Sequence, residues 1–384
     1  TLQTSRCSML LNQHIEFFDV KGVGHIDLQL SDKRMSVLIG TNGVGKTKTL
    51  ECLYTLLLFT NDMIRDGEYY AYKKNFSFNA SHINDDVIFE MSQFQSENAG
   101  YRIRNLVKPL FTHKRPVVYL GAQNRGEIKQ NDYGYITPLG EYKERQGKYL
   151  QNIISSMGTH FSTLNMDSPI EEWFIQRALS SNAYQDKADN REVELLTVLR
   201  ILNKIDSRIS ADPKDFKVIG GKSVSFKLDG EERRLNELSS GFASLIKIVQ
   251  AIVAGYSFFT NADDIENVAG YVLIDEIESH LHIQWQTKIL PLLTEIFPHT
   301  YFIITTHSSL ILTQLINGAA YNLVKENDRV TAKLIPNAGQ SALIDLLEEA
   351  FGVNLNKIRI ENTTAESQAD VKKALLSLLR GSHE

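Results

Sequence analysis

Three short apolar runs, Val37-Leu-Ile39, Tyr271-Val-Leu-Ile274 and Tyr301-Phe-Ile-Ile304, predict buried strands, and Pro116-Val-Val-Tyr-Leu120 predicts a fourth. Helical spacing appears elsewhere. Leu50, Leu53, Tyr54 and Leu57 fall at i, i+3, i+4 and i+7, and Glu192–Ile205 carries a partial stripe of Val193, Leu196, Leu199, Ile201 and Leu202. Leu245–Phe259 is the most apolar stretch and reads as a buried helix. Phe216–Ile219 and Val224–Leu228 read as strands around the Gly220-Gly221 turn. Pro169 suits the first turn of a helix running through Trp173. Past Gly352 the chain turns polar over 354–370, then ends in a helix with Val371, Ala374, Leu375 and Leu378 on one face. No heptad persists for many turns, which excludes a long coiled coil.

Composition narrows the class without naming it. A chain of 384 residues, 42% hydrophobic, can bury one large core plus a smaller lobe. Two cysteines give no disulfide framework, and the first ten residues hold no apolar signal region, so a cytoplasmic protein is expected. No membrane span is expected either: 245–259 is short and includes Lys247 and Gln250. A net charge of −5 argues against a chain that coats nucleic acid. The basic stretches Tyr101–Arg104 and Lys108–Arg115 leave two readings open, a phosphate-backbone contact or a solvated edge.

The chemistry sits at the ends of the buried runs. Gly40-Thr41-Asn42-Gly43-Val44-Gly45-Lys46-Thr47 fits G-x-x-x-x-G-K-[ST] between a strand and a helix, with Lys48 next. Its glycines let backbone N–H groups turn towards phosphate oxygens. Lys46 supplies charge at the β- and γ-phosphates, and Thr47 offers a hard oxygen to Mg²⁺. Asp275, at the end of the second run, is placed for the same Mg²⁺, and Glu276 to polarise an attacking water. His307, beyond the third run, is a candidate γ-phosphate contact. Gln123 is a candidate to join Mg²⁺ to a mobile lobe, and Arg125 is the competing polar contact. His280 and His282 do not form a zinc pattern with the cysteines. Leu238-Ser239-Ser240-Gly241 completes the set. Such a fragment lies far from its own chain's nucleotide and serves to close over a second copy's ATP.

In this order the motifs resemble those of ABC-type ATPases, in the soluble SMC, RecF and OLD-like branch. The opening Ile15–Leu30 is similar to that branch's first hairpin, with Lys21 where an Arg often sits. Asp275–His282 and Thr305–Ser309 resemble its second acidic and switch motifs, and Ser341–Val353 resembles a segment of antiphage-defence members. Septu and retron-associated ATPase subunits that pair with an HNH nuclease look most similar. Phe242, Ser279, His280 and Ile283 depart from the family pattern, which makes ATP binding a firmer expectation than fast turnover.

The resemblance implies an α/β fold with an ABC-type P-loop core assembled from both ends of the chain. The expected parts are 1–139 and 213–354 for the core, 140–212 for an inserted helical lobe and 355–384 for a helical tail. It further implies ATP and Mg²⁺, an ATP-sandwich homodimer or higher oligomer, and a separate effector, an HNH-type nuclease. Two other readings stand beside it: a repair or chromosome ATPase acting on DNA, and a transporter's nucleotide-binding subunit. The inserted lobe and Thr305-Thr-His-Ser-Ser309 are unlike the last. The residues after 355 are few for a fused nuclease, so an effector on another polypeptide is expected.

Overall fold

A computed structural model describes residues 10–108, 111–128 and 137–340. The resembling segment Ser341–Val353 and the tail helix with Leu375 lie outside these residues.

Ten strands form one sheet: β1 (His14–Val20), β2 (Gly24–Gln29), β3 (Met35–Ile39), β4 (Ala80–Ile83), β5 (Asp86–Glu90), β6 (Val117–Leu120), β7 (Tyr271–Ile274), β8 (Tyr301–Thr305), β9 (Ala319–Glu326) and β10 (Arg329–Ile335). Their order is β5-β4-β1-β2-β10-β9-β3-β8-β7-β6. The unalternating runs occupy neighbouring positions β3, β8, β7 and β6, paired in parallel. Every residue of β3, β6 and β7 is buried, as expected of strands covered on both faces. At the other end β1, β2, β4 and β5 pair antiparallel. Parallel pairing directs the C-terminal ends of β3, β7 and β8 to one edge, so motifs distant in sequence converge there.

Helix α1 (Lys46–Phe59) comes directly after β3 and its loop. The stripe at Leu50, Leu53, Tyr54 and Leu57 finds the helix but understates its burial, since all but two of its residues are buried. It runs through the core, against β6, β7 and β8. Helices α2 (Tyr142–Ser156), α3 (Ile170–Leu179) and α4 (Glu192–Ile205) come from 140–212. Leu195, Val198, Ile201 and Leu202 of α4 share one apolar cluster with Val37, Ile39 and Val118 of the sheet. The strands around Gly220-Gly221 form as expected, and Glu231–Arg234 adds a third, wholly exposed strand that no apolar pattern marks.

Helix α5 (Ser240–Thr260) is longer than its most apolar stretch. At 21 residues it passes the length and hydropathy of a membrane span, which corrects the expectation of a stretch too short for one. Its apolar window is 89% buried, so the core accounts for the hydrophobicity. Gly255 permits the contact with β6, because a Cβ there would meet Val118 Cγ2 at 2.5 Å. Near the C-terminal end of α5, Glu194 of α4 accepts from Arg177 Nε at 2.9 Å, Arg191 Nε at 2.7 Å and the Ser257 hydroxyl. All three charged side chains are at most 3% exposed.

In the basic stretch before β6, Lys108 and Lys114 are exposed while His113 and Arg115 turn inward. His113 is buried, bonds the Leu57 carbonyl at 2.8 Å, and is pushed by burial down to about 4, so it is neutral. Arg115 lies over the rings of Tyr271 and Tyr301. At these two residues the segment is neither a solvated edge nor free to meet a phosphate backbone, because long-range packing uses both.

Candidate active site

The loop after β3 wraps the start of α1. Gly40, Gly43 and Gly45 have φ of 147°, 80° and 110°. A Cβ on Gly45 would meet both Val23 methyls at 3.0 Å, and one on Gly40 would meet Leu323 O at 2.9 Å. Gly43 faces open space, and Thr41 and Asn42 are exposed while Val44 is buried. No side chain caps α1 and no acid stands in its first turn, so its first N–H groups and positive dipole end are left for an anion.

Lys46 is buried and donates to Gly40 O at 2.7 Å and Thr41 O at 3.1 Å. Burial lowers its proton affinity, while Glu276, Asp275 and Glu278 act the other way. Among the described residues no carboxylate pairs with it directly. Lys48 pairs with Glu51 at 2.6 Å.

Asp275 meets Thr47 across the sheet. Thr47 Oγ1 lies 3.1 and 3.0 Å from the two carboxylate oxygens, although 228 positions separate the residues. Thr305, at the end of β8, donates to Asp275 Oδ1 at 2.6 Å and accepts from Glu276 N at 2.8 Å. Burial raises the Asp275 carboxyl above its ordinary value, and the Thr305 and Thr47 hydroxyls oppose the rise. A buried carboxylate beside a threonine hydroxyl is a hard, all-oxygen donor set, which fits Mg²⁺. The open glycine cradle, uncapped helix start and buried ammonium fit a polyphosphate.

Glu276 adopts φ of 45°, unusual for a residue with a Cβ. Ser279 Oγ donates to its carboxylate at 3.2 Å, and His307 Nε2 stands 4.0 Å from it. Both side chains are partly exposed, at 35% for His307 and 40% for Glu276. Glu278 holds the switch segment by accepting from Thr306 Oγ1 and His307 N, each at 2.6 Å. The structure thus brings together Lys46, Thr47, Asp275, Glu276 and His307. Gln123 is exposed and accepts from Ser162 Oγ at 3.1 Å; none of its hydrogen bonds among the described residues reaches Thr47 or Asp275. Arg125, the competing residue, is buried instead.

Sequence reasoning missed Thr305, Thr306 and Glu278. A signal existed: two hydroxyls end an otherwise apolar strand, and a third acid stands two residues past the acidic pair.

Ser239 begins α5 as its N-cap, accepting from Phe242 N at 3.4 Å. Ser239 and Ser240 are exposed, whereas Gly241 is buried, and a Cβ on it would meet His280 O and Trp285 at 3.2 Å. Phe242 packs edge-on against Trp285, ring centres 4.8 Å apart, with Arg208 over its ring. Packing within the chain therefore accounts for the aromatic residue after the signature. His282 accepts from Gln284 N at 3.4 Å to cap a short helix.

The family model described as an AAA ATPase domain matches residues 68–312. A retron Vc95 probable ATPase of Vibrio cholerae serotype O1 biovar El Tor is 23% identical, over 96% of this chain and 82% of that protein. A Septu protein PtuA of Bacillus thuringiensis is also 23% identical, over 90% of this chain and 85% of its own length. Among solved structures, an Smc head bound to the C-winged helix domain of ScpA aligns with 14% identity and a TM-score of 0.45, over 84% of this chain and 97% of that one.

Proposed function

Because this chain belongs to the AAA ATPase domain family, we propose that it is a cytoplasmic antiphage-defence ATPase whose closure with a second copy controls a separate nuclease. The observation that carries the nucleotide part is the meeting of Thr47 and Asp275 at 3.0 Å across 228 positions. ATP lies along Gly40–Thr47, with Lys46 on its β- and γ-phosphates. Thr47 and Asp275 hold Mg²⁺, which neutralises phosphate charge when bound. Glu276 takes the proton of the attacking water, and His307 stands beside it as a donor towards the γ-phosphate. The exposed pair Ser239-Ser240 closes over the partner's ATP, and Gly241 supports that turn from inside its own chain.

The signature's role is tested by mixing two inactive variants. Gly241 is unsuited, since a side chain there would crowd His280 O and Trp285 of its own chain, 3.2 Å from a Cβ. Ser240→Asp is preferable: the position is exposed, and an acid suits the first turn of a helix. Lys46→Ala and Ser240→Asp chains should each hydrolyse ATP poorly. A random mixture should recover about a quarter of the wild-type rate, since half the two-fold dimers hold one intact composite site. A mixture no better than its components overturns closure in trans.

Relatives named as retron and Septu proteins support the defence role. The lobe at 140–212 offers a docking surface, with Leu179 and Tyr184 exposed 61% and 101%. Isolation from the native host should recover the chain with an HNH-type nuclease. Recovery with membrane permease subunits, or alone on chromosomal DNA, overturns that part of the reading.

A further inference from the structure

Arg125 is 0% exposed, yet among the described residues no carboxylate pairs with its guanidinium. Its hydrogen bonds go to backbone carbonyls: Gly121 at 2.6 Å, Asp275 at 2.8 Å, Glu276 at 2.9 Å and Leu120 at 3.4 Å. A buried guanidinium is costly unless its N–H groups are hydrogen-bonded, and here backbone carbonyls take that place. Burial brings its proton affinity down to about 10, while Asp275, Glu278, Tyr119 and Glu276 hold the charge in place. The carbonyls it gathers belong to the end of β6 and to the turn that carries the acidic pair. That turn needs a clamp, because Glu276 sits at φ of 45°.

The loop bearing Arg125 also touches the signature helix. Lys247 of α5 donates to Asn124 O at 2.6 Å. A Cβ on Gly126 would meet the His280 ring at 2.8 Å and Ser240 Cβ at 3.2 Å. One short loop is therefore wedged between Ser240 and the turn at Glu276.

We propose that Arg125 is a positioning residue for ATP hydrolysis, clamping the Asp275–Glu276 turn to the end of β6 and linking it to the signature helix. Its guanidinium holds the Glu276 carbonyl behind the turn, so that the carboxylate stands towards His307. A second copy pressing on Ser239 and Ser240 would reach Glu276 through this loop. The inference rests on the reading of Glu276 as the base, and its test separates the two.

Arg125→Lys keeps the charge but cannot span carbonyls on both sides of the clamp; Arg125→Met removes both charge and donors. Arg125→Lys should lower kcat by about 10²-fold, the scale of a misplaced catalytic group, while ATP affinity stays within about twofold of wild type. Amide hydrogen exchange over 275–279 should accelerate by at least about tenfold in the same variant, with the α1 amides unchanged. Arg125→Met, if it folds, should lose more turnover; if it does not, the lysine variant decides alone. Wild-type turnover in Arg125→Lys overturns the inference, as does an equal loss of affinity and turnover or unaltered exchange at 275–279. Glu276→Gln separates the failures. Wild-type hydrolysis there removes the base assignment and this inference with it, whereas a dead Glu276→Gln beside an unimpaired Arg125→Lys removes the inference alone.

Discussion

Glu276→Gln is expected to slow ATP hydrolysis by about 10²–10⁴-fold, the contribution of a positioned general base, with nucleotide affinity retained. The amide keeps the size of the side chain and can still accept from Ser279 Oγ, which lies 3.2 Å from the carboxylate. What it loses is the ability to take a proton. Binding should persist because Lys46, Thr47 and Asp275 are untouched, and one negative charge fewer near the phosphates favours the anion. If the chain closes on a second copy as proposed, the ATP-closed dimer should live longer. Single-turnover hydrolysis beside equilibrium ATP binding makes the measurement. Hydrolysis at the wild-type rate would mean that Glu276 is not the base.

Glu194→Ala is expected to destabilise the fold by about 3–5 kcal/mol, because removing one partner leaves buried charge uncompensated. Arg177 and Arg191 converge on Glu194 where all three are almost fully enclosed. Burial pushes the Glu194 carboxyl up, but the two arginines outweigh it and hold it below its ordinary value. A carboxyl depressed in the folded state stabilises above its unfolded pKa, and that contribution is lost as pH falls through the folded value. Arg191 keeps the Ala262 carbonyl at 2.7 Å and Asp263 at 3.2 Å, so the stranded charge is chiefly Arg177. Denaturant midpoints should show the loss, and Glu194→Leu with Arg177→Met should recover much of it. A single Glu194→Ala variant as stable as wild type would show that the network does not tie 140–212 to the end of α5.

Where chemistry depends on neighbours in the chain, it was readable in advance. The glycine spacing of 40–45 imposes its own backbone, and the buried strands announce themselves by lacking alternation. Reach decided the rest. Gln123 and Arg125 are two residues apart in one loop, and nothing local says which turns to solvent and which enters the core. Arg125 enters because parallel pairing of β6 with β7 lays the Asp275 and Glu276 carbonyls across its path. Gly241 reads as a contact for a partner, yet the turn at His280 and Trp285 packs against it from its own chain. His113 lies in a stretch that reads as basic, and is neutral because burial in the core outweighs the Leu57 carbonyl, which favours the charged ring.

The sequence by itself determined the phosphate loop, the acidic pair and the strands that carry them, since dihedral sterics and side-chain period act over a few residues. Only the tertiary structure decided that Thr305 shares Asp275, that Glu278 holds His307 and that Arg125 holds Glu276. Those partners lie from 29 to 151 positions apart, and the order of strands in the sheet, which no local preference encodes, chooses them.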